Sequence, residues 1–110
     1  VQTSAGRIQG YGYDLGSDPT QPFYGYGEVF LGIPYAEPPL AEKRFKLPQP
    51  ICRFSEDIID GSVYKPRCYQ PQDDLYPAGD YMSEDCLYLN VITPSAQSEE
   101  VGNFFFLVFF

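Results

Sequence analysis

The sequence predicts a mostly β chain with little helix: the strand-rich portion of a layered α/β domain that this chain does not complete. Three observations carry that reading. Gly and Pro together supply 21 of the 110 residues, too dense a scatter of breakers for long helices. Residues 87–92 alternate Leu87, Leu89 and Val91 with Tyr88, Asn90 and Ile92, the period of two that marks a strand. Residues 104–110 form an unbroken apolar run, which fits a strand buried on both faces of a sheet. Such a strand needs neighbouring strands and covering helices. No amphipathic helix elsewhere in the sequence can supply that cover.

The elements follow in order. Residues 1–3 and 7–11 read as the arms of a hairpin, with Ser4, Ala5 and Gly6 as its turn. Residues 12–27 read as a surface loop, Gly-rich, with Tyr-Gly-Tyr written at 11–13 and again at 24–26. A strand is expected from Glu28 to Ile33, ended by Pro34. Residues 35–50 carry Pro38, Pro39, Pro48 and Pro50, so they are expected to cross the surface in extended form. Ile58, Ile59 and Val63 suggest a short edge strand. An acidic loop between Cys68 and Cys86 precedes the alternating strand. Residues 94–102 are polar and acidic, a second loop. The final run, free of charge and Pro, is an aggregation hazard when its edge is uncovered.

Composition excludes several functions. With no histidine, no Ser-His-Asp or Cys-His device and no imidazole metal site exist within this chain. Seven Lys+Arg against 15 Asp+Glu, a net charge of −8, argue against nucleic acid and anionic lipid as partners. The same shortage of cations vetoes base stacking by the Tyr-Gly-Tyr repeats. The longest apolar run is far short of a membrane span. No initiator Met and no charged-then-apolar leader opens the chain, so any targeting peptide is removed or left out. No cofactor motif occurs. Cys52, Cys68 and Cys86 have neither the spacing nor the histidine for a zinc site. They allow one bridge and a spare thiol, or three thiols in a reducing compartment. A bridge closing the Cys68–Cys86 loop would be worth about 3 kcal/mol by chain entropy.

Four separated segments resemble one family. Val1-Gln-Thr3 with Gly6-Arg-Ile-Gln-Gly10 resembles the N-terminal hairpin of the type-B carboxylesterases, the carboxylesterase/cholinesterase family. Phe30-Leu-Gly-Ile-Pro-Tyr-Ala-Glu-Pro-Pro39, then Arg44-Phe45 and Pro48-Gln-Pro50, is similar to that family's second strand and the crossing after it. Asp60-Gly-Ser-Val-Tyr64 leading to Cys68 is similar to the segment bearing its first loop cysteine. Glu84, Asp85, Cys86, Leu87, Tyr88, Leu89, Asn90 and Val91 carry its signature string unbroken.

The resemblance implies an α/β-hydrolase fold, of which residues 1–110 are the N-terminal, mostly β portion. It implies a parent that cleaves small carboxylic esters through an acyl-serine, with a nucleophile in G-x-S-x-G at a strand-to-helix elbow. This chain holds no G-x-S-x-G and no histidine. It is read as ending before the elbow and before the Gly-rich turn that builds the oxyanion hole, so no catalytic residue carries over. Its partner is then the remainder of the hydrolase domain. The resemblance pairs Cys68 with Cys86, which implies a secreted or ER-lumenal parent, and pairs Arg44 with Glu84 as a partly buried fork that pins the loop; two solvated surface charges are the alternative. Asp73 falls near the acidic gorge rim of cholinesterases; a solvated tip at Asp73 and Asp74 is the simpler reading. Ala41 stands where the family usually has Gly, and Phe54 where it usually has Trp. The chain has no Trp, and cholinesterases hold quaternary ammonium on a Trp in this loop, so choline specificity is disfavoured. Cys52 has no family counterpart. A non-catalytic, cholinesterase-like adhesion protein, or a truncated isoform without function, is the alternative parent.

Overall fold

The computed structural model describes residues 1–20, 24–71, 81–94 and the backbone of 107–109. Among them are six strands: β1 (Arg7–Gln9), β2 (Tyr11–Asp14), β3 (Tyr26–Pro34), β4 (Ile58–Asp60), β5 (Tyr88–Pro94) and β6 (Leu107–Phe109). The one helical element among the described residues is a 3-10 turn at Ala41–Lys43. Among the described residues, strand is therefore the main regular structure, with almost no helix. β2, β3, β5 and β6 form an antiparallel sheet in that order, while β1 and β4 form a separate parallel pair.

β3 is the longest strand, and its burial alternates with the pleat: Tyr26 and Glu28 outward, Gly27 and Val29 inward. The alternation ends at a bulge, where the pairing with β5 skips from Phe30↔Val91 to Ile33↔Leu89. A bulge frees backbone donors from the ladder, and buried donors need partners. The Leu31 amide donates to the Gly61 carbonyl at 2.8 Å. The Gly32 amide donates to Asn90 Oδ1 at 2.9 Å. The first bond joins the four-stranded sheet to the end of β4, and the second ties β3 to β5. Gly32 sits at φ +62°, in the left-handed region where a Cβ is costly.

The packed core is small. Ile8, Phe54 and Ile59 form its centre, with Ala5, Phe30, Ile33 and Ile51 against it. The Phe54 amide donates to the Ala5 carbonyl at 2.8 Å, so Phe54 serves as a wedge between the N-terminal turn and β4. Val29, Leu31 and Ala36 are also buried. No described side chain falls below 2 % exposure. The chain exposes 8754 Å², where a compact monomer of 12.5 kDa exposes about 6,200 Å². Its radius of gyration is 16.6 Å, against about 13 Å for a compact domain of this length.

Three local expectations change. The N-terminal turn forms, with the Thr3 amide on the Gly6 carbonyl, but its first arm makes only a single bridge, Gln2↔Arg7. The ladder of β1 runs instead with β4, parallel. The segment 12–27 is not all loop: its two ends are strand, Tyr13 opposite Gly27 and Asp14 opposite Tyr26. The Tyr13 ring lies over Gly27 where a Cβ would stand, and the Tyr26 phenol bonds the Asp14 carboxylate, which raises its pKa. Finally, residues 35–50 do not cross the surface. They leave and return, closed by the Ala36↔Pro50 bridge and by the Glu37 amide on the Gln49 carbonyl. Ala41 at φ +48° and Phe45 at φ +59° turn the chain back, a reversal that prolines alone do not predict.

Candidate functional site

Cys68, Cys86, Arg44 and Glu84 gather at the base of the Cys68–Cys86 loop. The chain enters this loop beside residue 67 and leaves it at 81–83. The Arg67 amide donates to the Tyr81 carbonyl at 3.2 Å, and the Ser83 amide to the Arg67 carbonyl at 2.9 Å. These bonds hold the two limbs side by side, with Arg67 and Met82 as a parallel bridge. Cys68 and Cys86 are joined by a disulfide, with Cα atoms 4.9 Å apart. Cys52 is exposed and unbridged.

Arg44 reaches the same base from the returning 36–50 loop. Its Nη2 lies 2.7 Å from Glu84 Oε1, and its guanidinium sits 5.3 Å from the centre of the Phe45 ring. Both charged side chains are about half-exposed, so the pair contributes at most about 1 kcal/mol. Lys43 pairs with Glu37 on the other side of the loop. An open depression of about 210 Å³ lies here, lined by Pro39, Arg44, Phe45, Tyr69, Glu84 and the disulfide. That is below the volume of ordinary small-molecule sites.

The signature residues divide their work. Ser83 Oγ accepts the Asp85 amide at 3.1 Å, and Asp85 Oδ1 accepts the Tyr88 phenol at 2.9 Å. Burial, then the hydrogen bond and charge of Asp85, push the Tyr88 phenol up to about 12. Leu87 accepts the Tyr35 amide at its carbonyl, at 3.3 Å. Leu89 and Val91 pair across β5 with Ile33 and Phe30, and Asn90 holds the bulge. Each of these contacts is structural. Asp73 lies outside the described residues.

Among the described residues no group of His, Cys, Asp and Glu could hold a metal. A second depression, about 530 Å³ between β1 and β2, is lined by Arg7, Gly10, Tyr11, Glu28 and Phe30, with no nucleophile beside a base. No described helix is long and apolar enough to cross a membrane. Sequence reasoning missed the role of Asn90, although a polar residue on a strand otherwise apolar was the available signal.

The carboxylesterase family profile matches residues 1–110. The chain is 37 % identical over 109 residues to an acetylcholinesterase of Bungarus fasciatus, covering 91 % of this chain and 17 % of that protein. It is 39 % identical over 104 residues to a cholinesterase of Mus musculus, covering 86 % and 16 %. An acetylcholinesterase of Electrophorus electricus is 38 % identical over 104 residues, covering 86 % and 15 %. The chain thus spans about a sixth of the length of these relatives. On its matched sequence over every residue, the chain belongs to the carboxylesterase family.

Proposed function

We propose that this chain is the N-terminal, mostly β portion of a carboxylic-ester hydrolase with the α/β-hydrolase fold, and that it is inactive alone. The observation that carries the reading is the signature run 84–91, whose polar residues are committed to structure: Glu84 to Arg44, Asp85 to Tyr88, Cys86 to Cys68, Asn90 to Gly32. The surplus of exposed surface supports it as well, because the remainder of the domain would cover that surface. Small esters are then the substrate class of the whole protein, handled by residues outside this chain. The disulfide supports a secreted or ER-lumenal location, since bridges persist where thiols are oxidised.

The purified chain should not hydrolyse short-chain aryl esters above the buffer rate. It has no imidazole to activate a serine. Saturable hydrolysis that disappears on replacing one of its serines would overturn the proposal.

A further inference from the structure

We infer that the depression between β1 and β2 is a peptide-binding site, where a short extended segment adds to the open edge of β2. The chain changes sheets here. β1 runs in the parallel pair and β2 ends the four-stranded sheet, with Gly10 between them. β2 pairs with β3 on one side, and among the described residues no strand pairs with its other side. An open strand edge carries backbone donors and acceptors that a further strand can use. β1 offers no second edge: β4 pairs with one side, and the Ile8 amide and carbonyl are taken by Val1.

The depression holds about 530 Å³, within the range of ordinary ligand sites. Its apolar surface comes from Phe30, whose ring lies over Gly10 where a Cβ would stand, and from Ile58, exposed opposite Arg7. Gly12, opposite Glu28, leaves its stretch of β2 bare: a Cβ there would meet only the Gly27 carbonyl, at 3.7 Å. Arg7 and Glu28 are the two charged side chains that line the depression. Both are exposed, and among the described residues neither has an ion pair or a side-chain hydrogen bond. Two opposite charges therefore stand unpaired in one trough, Arg7 on β1 and Glu28 across from Gly12.

Opposite charges fix the polarity of a bound strand. A carboxylate on the ligand forks onto the Arg7 guanidinium, and an ammonium faces Glu28. Side chains two apart share a face of an extended segment, so the residue midway between the two charges rests against Phe30 and Ile58. The ligand class is an extended peptide with a basic, an apolar and an acidic residue at alternate positions. With the basic residue first, it runs antiparallel to β2, the direction with the more stable ladder. The backbone ladder supplies affinity, and the two charges supply specificity.

Fluorescence anisotropy of the full chain with a labelled, end-blocked peptide, Lys-Thr-Val-Thr-Glu, tests the site. Saturable binding is expected, at least about tenfold tighter than for the reversed peptide Glu-Thr-Val-Thr-Lys. In a chain carrying Arg7→Glu together with Glu28→Lys the preference should invert, since neither native side chain bonds another part of the described fold. A second measurement needs no variant of the protein. Backbone amides alternate in direction along a strand. N-methylation of the second and fourth peptide residues, or of the third and fifth, should therefore abolish binding in one form and spare it in the other. Absence of saturable binding, a preference that the charge swap does not move, or equal binding of the two methylated forms overturns the proposal.

Discussion

Asn90 joins two strands through one amide oxygen. Its Oδ1 accepts the Gly32 amide, a donor that the bulge in β3 removes from the ladder. An apolar residue there would leave that amide without a partner, at a cost of about 1–3 kcal/mol. In Asn90→Leu, amide exchange at Gly32 should therefore quicken at least about fivefold, while Asn90→Asp, which keeps an acceptor, should change it far less. Equal rates in both variants would show that the bond does not hold the bulge. Ala41 poses the opposite case, a residue whose own backbone opposes its place. At φ +48° its Cβ meets a penalty of about 1–2 kcal/mol that glycine escapes, offset in part by the greater freedom glycine loses on ordering. Ala41→Gly should steady the 36–50 loop, and trypsin should cut at Lys43, Arg44 and Lys46 about two- to fivefold more slowly. The sequence resemblance already noted Gly as usual at this position, but only the dihedral angle says why. Arg44 and Glu84, by contrast, lie together, but they are more exposed than the partly buried pair the resemblance suggests, and exposure limits what the pair contributes.

Among the elements, β5 was the most legible and the 36–50 loop the least. Period-two alternation depends on the side chains of one strand, so β5 could be read locally. The return of residues 35–50 depends on two non-Gly residues with positive φ, and no residue type signals that. The Tyr-Gly-Tyr repeats misled for a related reason: glycine suggests a turn, but Gly27 in β3 makes room for the ring of Tyr13 across the ladder. The pairing of β1 with β4 joins residues about fifty apart, and parallel partners leave no turn signature to read. The turn before β5 is itself testable. The Tyr88 phenol is pushed up to about 12 by burial and by Asp85, above its ordinary value of 10.0. The fold favours the neutral phenol, so its stabilising effect is complete below pH 10 and is lost as pH rises from about 10 to about 12. Phenolate absorbance should show a group titrating near pH 12, distinct from Tyr26, which Asp14 also raises; it should be absent in Tyr88→Phe and shifted to lower pH in Asp85→Asn. A group near pH 12 that survives in a Tyr26→Phe, Tyr88→Phe double variant would contradict the assignment.

At the scale of the whole molecule, the exposed surface supports the proposed reading. A chain of this mass that folds as a closed domain hides far more area than this one does. Among the described residues the buried hydrophobic side chains are six, Ile8, Val29, Leu31, Ala36, Phe54 and Ile59, few against the entropy of ordering those residues. Every side chain of β5 up to Thr93 is only half-buried, although the strand lies between β3 and β6 in the sheet. On the proposed reading, residues outside this chain cover both faces of that strand. The apolar run 104–110 led to the same expectation, and its Leu107–Phe109 pairs with β5; the rest of the run lies outside the described residues. The matched relatives are about six times longer, which leaves room for that cover. The most direct test is hydrogen exchange of the isolated chain in dilute buffer, read along β3 and β5. Our account predicts protection of no more than about a hundredfold at any of these amides, the mark of strands that open for less than about 3 kcal/mol. Protection of several thousandfold, lost together in one cooperative step, is what a domain stable by 5 kcal/mol or more would show, and it would contradict the claim that the core of this chain is completed by residues outside it.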